Sequence, residues 1–213
     1  MKKLNVNIDH VATLRQARLG SYPNPIDVAK LISSSKASGI VMHLREDRRH
    51  IQDYDLANYK KIIKLPLNLE MAPTPEMVKI ANKIKPQTVT LVPEKRQELT
   101  TEGGLNLKKN LTKVRSIINN LNGAIKIMLF VDPDLKIIDI CKKLDIHGVE
   151  INTGKYCDAK KNNISKELIK IRRAAKLASE LNMFVAAGHG LNKRNLARIV
   201  KIQYIKEYNI GHS

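Results

Sequence analysis

The residues able to move protons fall at the ends of short apolar runs. His10 closes Asn7-Ile8-Asp9-His10, and His43 follows Gly39-Ile40-Val41-Met42 and precedes Leu44-Arg45. His189 stands between Gly188 and Gly190, and His212 follows Gly211. His50 lies a few residues beyond the second run, whereas His147 precedes its run, at the opposite end. Glu70 sits inside Leu67-Asn68-Leu69-Glu70-Met71-Ala72, and Glu150 inside Gly148-Val149-Glu150-Ile151-Asn152. A carboxylate in an apolar strand is costly unless it is paired or hydrogen-bonded. Glu70 and Glu150 therefore read either as structural partners of arginines or as carboxyls tuned for proton transfer. Histidines exchange protons near neutral pH, and several converging on one rim mark a site. The Gly-flanked turns Gly188-His189-Gly190 and Gly211-His212 suit phosphate, because no side chain keeps the backbone N–H groups from an anion. Arg18 and Arg45 can add charge-assisted contacts. Arg48 and Arg49 follow Glu46-Asp47 and are expected to pair with their own neighbours.

These residues need a scaffold that brings many strand ends to one place. Apolar, partly β-branched runs at 4–10, 39–44, 67–72, 88–93, 124–132, 148–152 and 183–188 read as strands. Helical stretches lie between them. Asn24-Pro25 and Thr74-Pro75 read as N-caps with proline at the first helical position. Ile164, Leu168, Ile171, Ala175 and Ala178 form one helical stripe over 164–181, with Asn163 as the expected N-cap. Alternating strands and helices imply parallel strands with crossover helices. Seven or eight such units predict a single α/β domain over 1–213, a (β/α)8 TIM barrel near the lower size limit of that fold. A doubly wound open sheet would usually show a Gly-rich turn after its first strand. Here that strand leads into Asp9-His10-Val11-Ala12-Thr13. An eighth strand starts near Tyr208, so the last strand and the final helix are expected to be incomplete at Ser213.

A hydrophobic content of 43% excludes a disordered chain. The formal charge of +18 raises nucleic acid, anionic membranes and anionic substrates as partners. Its lysines are spread in pairs such as Lys60-Lys61 and Lys142-Lys143, and the chain has two Phe and no Trp to stack on bases. A solvated basic surface is the expectation, with neither nucleic acid nor membrane as partner. Polar residues interrupt every apolar run, and no apolar segment follows Met1-Lys2-Lys3, so a cytoplasmic protein is expected. Cys141 and Cys157 lack metal-type or redox-type spacing and read as free thiols.

Several blocks together resemble the pyridoxine 5'-phosphate synthase family. They are Asn7-Ile8-Asp9-His10, His43-Leu44-Arg45-Glu46-Asp47-Arg48-Arg49-His50, Asn68-Leu69-Glu70-Met71-Ala72 and Val92-Pro93-Glu94-Lys95-Arg96-Gln97-Glu98. Thr100-Thr101-Glu102-Gly103-Gly104, Ala187-Gly188-His189-Gly190-Leu191 and Asn209-Ile210-Gly211-His212 complete the set, in the family's order from Asn5 to His212. Asn152 and Ala186 depart from the family's usual His and Asn. The resemblance implies a barrel enzyme of vitamin B6 synthesis that uses no cofactor and no metal and forms homo-oligomers. Such an enzyme joins 1-deoxy-D-xylulose 5-phosphate to 3-amino-2-oxopropyl phosphate. By the same resemblance, His43 and Glu70 accept protons, His189 donates one and Glu150 stabilises a transition state. Asn7, Arg18, Gly190, Gly211 and His212 would hold the aminoketone phosphate. Asp9, His10, Arg45, His50 and Thr100 would hold the deoxyxylulose phosphate. The alternative is a catalytically impaired remnant, if the closing strand is incomplete.

Overall fold

In a computed structural model of the chain, residues 1–94 and 103–211 are described. Eight strands alternate with helices: β1 (Lys3–Asn7), α1 (Asp9–Ala17), α2 (Pro25–Ser33), β2 (Gly39–Leu44), α3 (Asp53–Ile62), β3 (Leu67–Met71), α4 (Pro75–Ile84), β4 (Thr88–Leu91) and α5 (Leu107–Asn119). The second half runs β5 (Lys126–Val131), α6 (Leu135–Cys141), β6 (Gly148–Asn152), α7 (Gly154–Cys157), α8 (Lys161–Glu180), β7 (Phe184–Gly188), α9 (Leu196–Val200) and β8 (Glu207–Ile210). All neighbouring strands pair in parallel, and β8 pairs with both β7 and β1, so the sheet closes as a (β/α)8 barrel. The expectation of an unclosed last strand is thereby corrected. Leu4 pairs with Tyr208 on one side, and Gly188 with Asn209 on the other. Four residues suffice because a barrel strand needs only enough length to meet each neighbour's ladder.

Strand residues alternate between two environments. On β3, Leu67, Leu69 and Met71 join the hydrophobic layer under the helices, while Asn68 and Glu70 face the barrel interior. Asn24 and Thr74 cap α2 and α4 as their Asn-Pro and Thr-Pro signals predict: the Asn24 side chain accepts from the Ile26 N–H, and Thr74 Oγ1 from the Met77 N–H. Two boundaries differ from expectation. Helix α8 begins at Lys161 with Lys160 as its N-cap, not at Asn163, because the chain is already helical before the apolar stripe starts. Strand β1 stops at Asn7, and Asp9 and His10 form the first turn of α1. The turn is set by Asn7, whose Oδ1 accepts the Asp9 N–H at 2.9 Å and redirects the chain.

Candidate active site

The carboxyl ends of the strands surround one cavity of about 560 Å3, within the range that encloses small ligands. Asn7, Asp9, His10, His43, Arg45 and His50 line one side of it. Glu70 and Glu150 line the depth, and His189, Gly190 and Gly211 the other side. Eleven residues singled out in the sequence thus converge. His10 does so from α1, and the other three strand-end histidines divide: His43 and His189 line the cavity, while His212 lies outside the described residues, as does Thr100. Arg18 is an exposed residue at the C-cap of α1 and does not line the cavity. His147 stacks on Phe184 at the amino-terminal end of the barrel, with ring centroids 5.3 Å apart.

Register makes the centre of the site. His43 on β2 pairs with Glu70 on β3, so both side chains face inward at one level. His43 Nδ1 lies 3.9 Å from Glu70 Oε2, so a histidine faces the Glu70 carboxyl. Burial pushes the Glu70 carboxyl well above the ordinary carboxylate range, and the charges of Glu150 and Asp9 push it further. Burial also raises Glu150, and the Glu207 charge adds to this. The hydrogen bond from Asn209 Nδ2 to Glu150 Oε2, at 2.6 Å, opposes the rise without cancelling it. Asn5 Nδ2 in turn donates to Asn209 Oδ1 at 3.1 Å, which tethers the Glu150 carboxyl to β8 and β1.

The other groups are oriented by local hydrogen bonds. Asp9 Oδ1 accepts the His43 N–H and its Oδ2 accepts from Asn7 Nδ2, each at 2.8 Å. The Ile51 N–H donates to His50 Nδ1, so in the neutral ring Nε2 carries the proton. Burial lowers the His50 pKa and favours that neutral form. Among the described residues, Asp9, His43 and His50 form a metal-ligand type of grouping, with one ligand atom from each within 4.8 Å of the others. Asp9 already serves two protein hydrogen bonds, which sets its carboxylate in place as an acceptor. His189 has φ +77° and Gly190 φ +74°, a left-handed pair that only a held turn keeps. Thr153 Oγ1 holds it by donating to the carbonyls of Gly188 and His189 at 2.8 and 2.7 Å. Arg49 pairs with Asp47, as expected, whereas Arg48 reaches beyond its neighbours and bridges Asp53 on α3 and Glu76 on α4.

Sequence reasoning missed Glu94, whose Oε1 accepts from His43 Nε2 at 2.8 Å, and Asn209, the partner of Glu150. It also missed the buried Arg15–Asp55 pair that joins α1 to α3. A polar residue at a strand's carboxyl end was the available signal for Glu94 and Asn209.

A profile of the family described as "Pyridoxal phosphate biosynthesis protein PdxJ" matches residues 4–213. The chain belongs to this family of enzymes. Among curated relatives, the pyridoxine 5'-phosphate synthase of Geotalea uraniireducens is 50% identical over 215 residues, covering 100% of this chain and 90% of the relative. That of Pelobacter propionicus is 51% identical with the same coverage. That of Ehrlichia chaffeensis is 50% identical, covering 98% of this chain and 87% of its own. Among solved structures, phosphoribosyl anthranilate isomerase of Thermus thermophilus superposes with a TM-score of 0.60 at 10% identity, over 98% of this chain and 86% of that one. The tryptophan synthase A-subunit of Pyrococcus furiosus does so with 0.61 at 10% identity, over 99% and 86%. These two likenesses establish the barrel fold alone.

Proposed function

We propose that the cavity condenses 1-deoxy-D-xylulose 5-phosphate with 3-amino-2-oxopropyl phosphate to pyridoxine 5'-phosphate, inorganic phosphate and water, a ring-closing transfer reaction. One observation carries the reading. A histidine and a buried carboxyl face each other across two paired strands, with a second buried carboxyl in the same cavity, and burial raises both carboxyls above the ordinary range. The relatives' printed names supply the product, pyridoxine 5'-phosphate.

The chemistry requires such a set. An amine adds to a ketone and water leaves, phosphate is eliminated, and a ring closes and aromatises with loss of a second water. Each step transfers protons, and none is a net oxidation, so no cofactor or metal is required. Glu70, whose carboxyl burial raises, and His43 facing it accept protons from the substrate and return them. His189 donates on the far side of the cavity. Glu150, held by Asn209, stabilises positive charge when ionised and donates a hydrogen bond when neutral. The Gly190 and Gly211 turns with Asn7 receive one phosphate, and Arg45, His10 and neutral His50 the other.

The reading also includes self-association. Leu14, Leu19, Tyr22 and Leu31 are 54%, 94%, 78% and 74% exposed on α1, α2 and their connection. Apolar exposure of this extent favours burial between subunits. Sedimentation should show a species heavier than the 24.1 kDa chain.

The functional test is incubation of the purified protein with both phosphates. Pyridoxine 5'-phosphate and inorganic phosphate should appear in equal amounts, and neither should form when one substrate is left out. Absence of product with both present would overturn the assignment.

A further inference from the structure

Glu94 follows β4 at the carboxyl end of the barrel, where its side chain is only 6% exposed. Its two oxygens have separate tasks. Oε1 meets His43 Nε2 at 2.8 Å, and Oε2 accepts the Glu46 N–H at 3.0 Å. The first contact fixes the His43 ring, and the second ties the carboxylate to the backbone beyond β2. Burial raises the Glu94 carboxyl, but the hydrogen bond and charge of His43, the Glu46 N–H and the Arg45 guanidinium outweigh it. Glu94 is therefore ionised and can only accept.

An accepting carboxylate on Nε2 leaves one arrangement for a neutral His43 ring. Nε2 carries the proton, and the lone pair stands on Nδ1. Nδ1 is the nitrogen that faces Glu70, across 3.9 Å. That gap is longer than a hydrogen bond. A substrate atom beside the gap can lie within hydrogen-bond reach of both groups. We propose that Glu94 is a positioning residue for this reaction: it holds His43 in the Nε2–H tautomer, with the basic Nδ1 aimed at Glu70 and the substrate. This rests on the function proposed above. Asp9 supports the same geometry from the backbone side by accepting the His43 N–H at 2.8 Å. Glu94 does not line the cavity, so its effect passes through His43.

The test combines kinetics with ring nitrogen spectra of 15N-histidine-labelled protein, the His43 signals being assigned by their loss in His43→Asn. In the native protein, Nε2 should read as protonated and Nδ1 as unprotonated once the ring is neutral. In Glu94→Ala the two tautomers should mix, and kcat should fall on the order of 100-fold, the lower end of what a positioned general base contributes. KM should stay within about threefold, since ground-state binding is not at stake. Glu94→Gln keeps an acceptor but no charge. It should restore the tautomer and part of kcat. Circular dichroism and melting curves show whether each variant is folded. Unchanged ring shifts with unchanged kcat in folded Glu94→Ala would overturn the proposal. A faster Glu94→Ala would do so too, since it would make the contact a resting latch. If the native protein forms no product, the functional reading fails, and the ring shifts alone still decide whether Glu94 sets the tautomer.

Discussion

Burial and hydrogen bonding oppose each other at Glu150, and burial prevails. The folded protein therefore binds this proton more tightly than the unfolded chain does. Above the ordinary carboxylate value of 4.5, the unfolded chain loses the proton while the folded state keeps it. Stability then falls as pH rises, by about 1.4 kcal/mol for each pH unit over which only the folded state holds the proton. The fall ends where the folded group itself ionises. Denaturant titrations between pH 4.5 and pH 8 should show this slope in the native protein and a shallower one in Glu150→Gln. Equal slopes would place Glu150 in a more solvated setting than its Asn209 contact implies. Glu70 and Glu150 were legible because each interrupts an apolar run, where no water would solvate it. Glu94 was not, because a glutamate after a strand reads as an ordinary loop residue. Its partner His43 lies 51 positions away, and only the order of strands around the barrel brings the two together.

At the scale of elements, β7 must leave room for the Glu150 side chain of β6. A Cβ placed on Gly188 would come within 2.1 Å of Glu150 Oε1. Gly188→Ala is expected to push Glu150 off its Asn209 bond, costing about 1–3 kcal/mol in stability and most of the turnover. Wild-type turnover in that variant would mean the carboxyl has space to move. The α1–α3 junction depends on a different contact. Arg15 grips both oxygens of Asp55 at 2.8 Å and donates to the His50 carbonyl at 3.2 Å. Asp55→Ala strands a buried guanidinium and should lower unfolding free energy by about 3–5 kcal/mol. A loss under 1 kcal/mol, measured by urea denaturation, would show that water replaces the carboxylate. Caps such as Asn24-Pro25 were readable because their signal is local. The end of β1 was not, since Ile8-Asp9-His10 continues the strand's alternation. The Asn7 side chain, by accepting the Asp9 N–H, ends the strand there.

Across the whole molecule, parallel order and barrel class were legible from the alternation of elements, but closure was not. Pairing of β8 with β1 depends on three-dimensional register, and Asn209 on that strand both completes the ladder and holds Glu150. The excess of cationic groups, +18 in all, would act on both anionic substrates of the proposed reaction at once. Raising ionic strength should lower kcat/KM and leave kcat nearly unchanged, because screening slows encounter rather than chemistry. A kcat/KM independent of salt would show that the surface charge has no part in substrate capture. The central claim is that the His43–Glu70 pair carries the proton transfers, and the turnover of Glu70→Gln tests it most directly. That substitution keeps size and polarity and removes a carboxyl that burial already strains, so the variant should fold and melt no lower than the native protein. Its kcat for pyridoxine 5'-phosphate formation is predicted to fall by roughly 100- to 10,000-fold. A folded Glu70→Gln with near-native kcat would contradict the account.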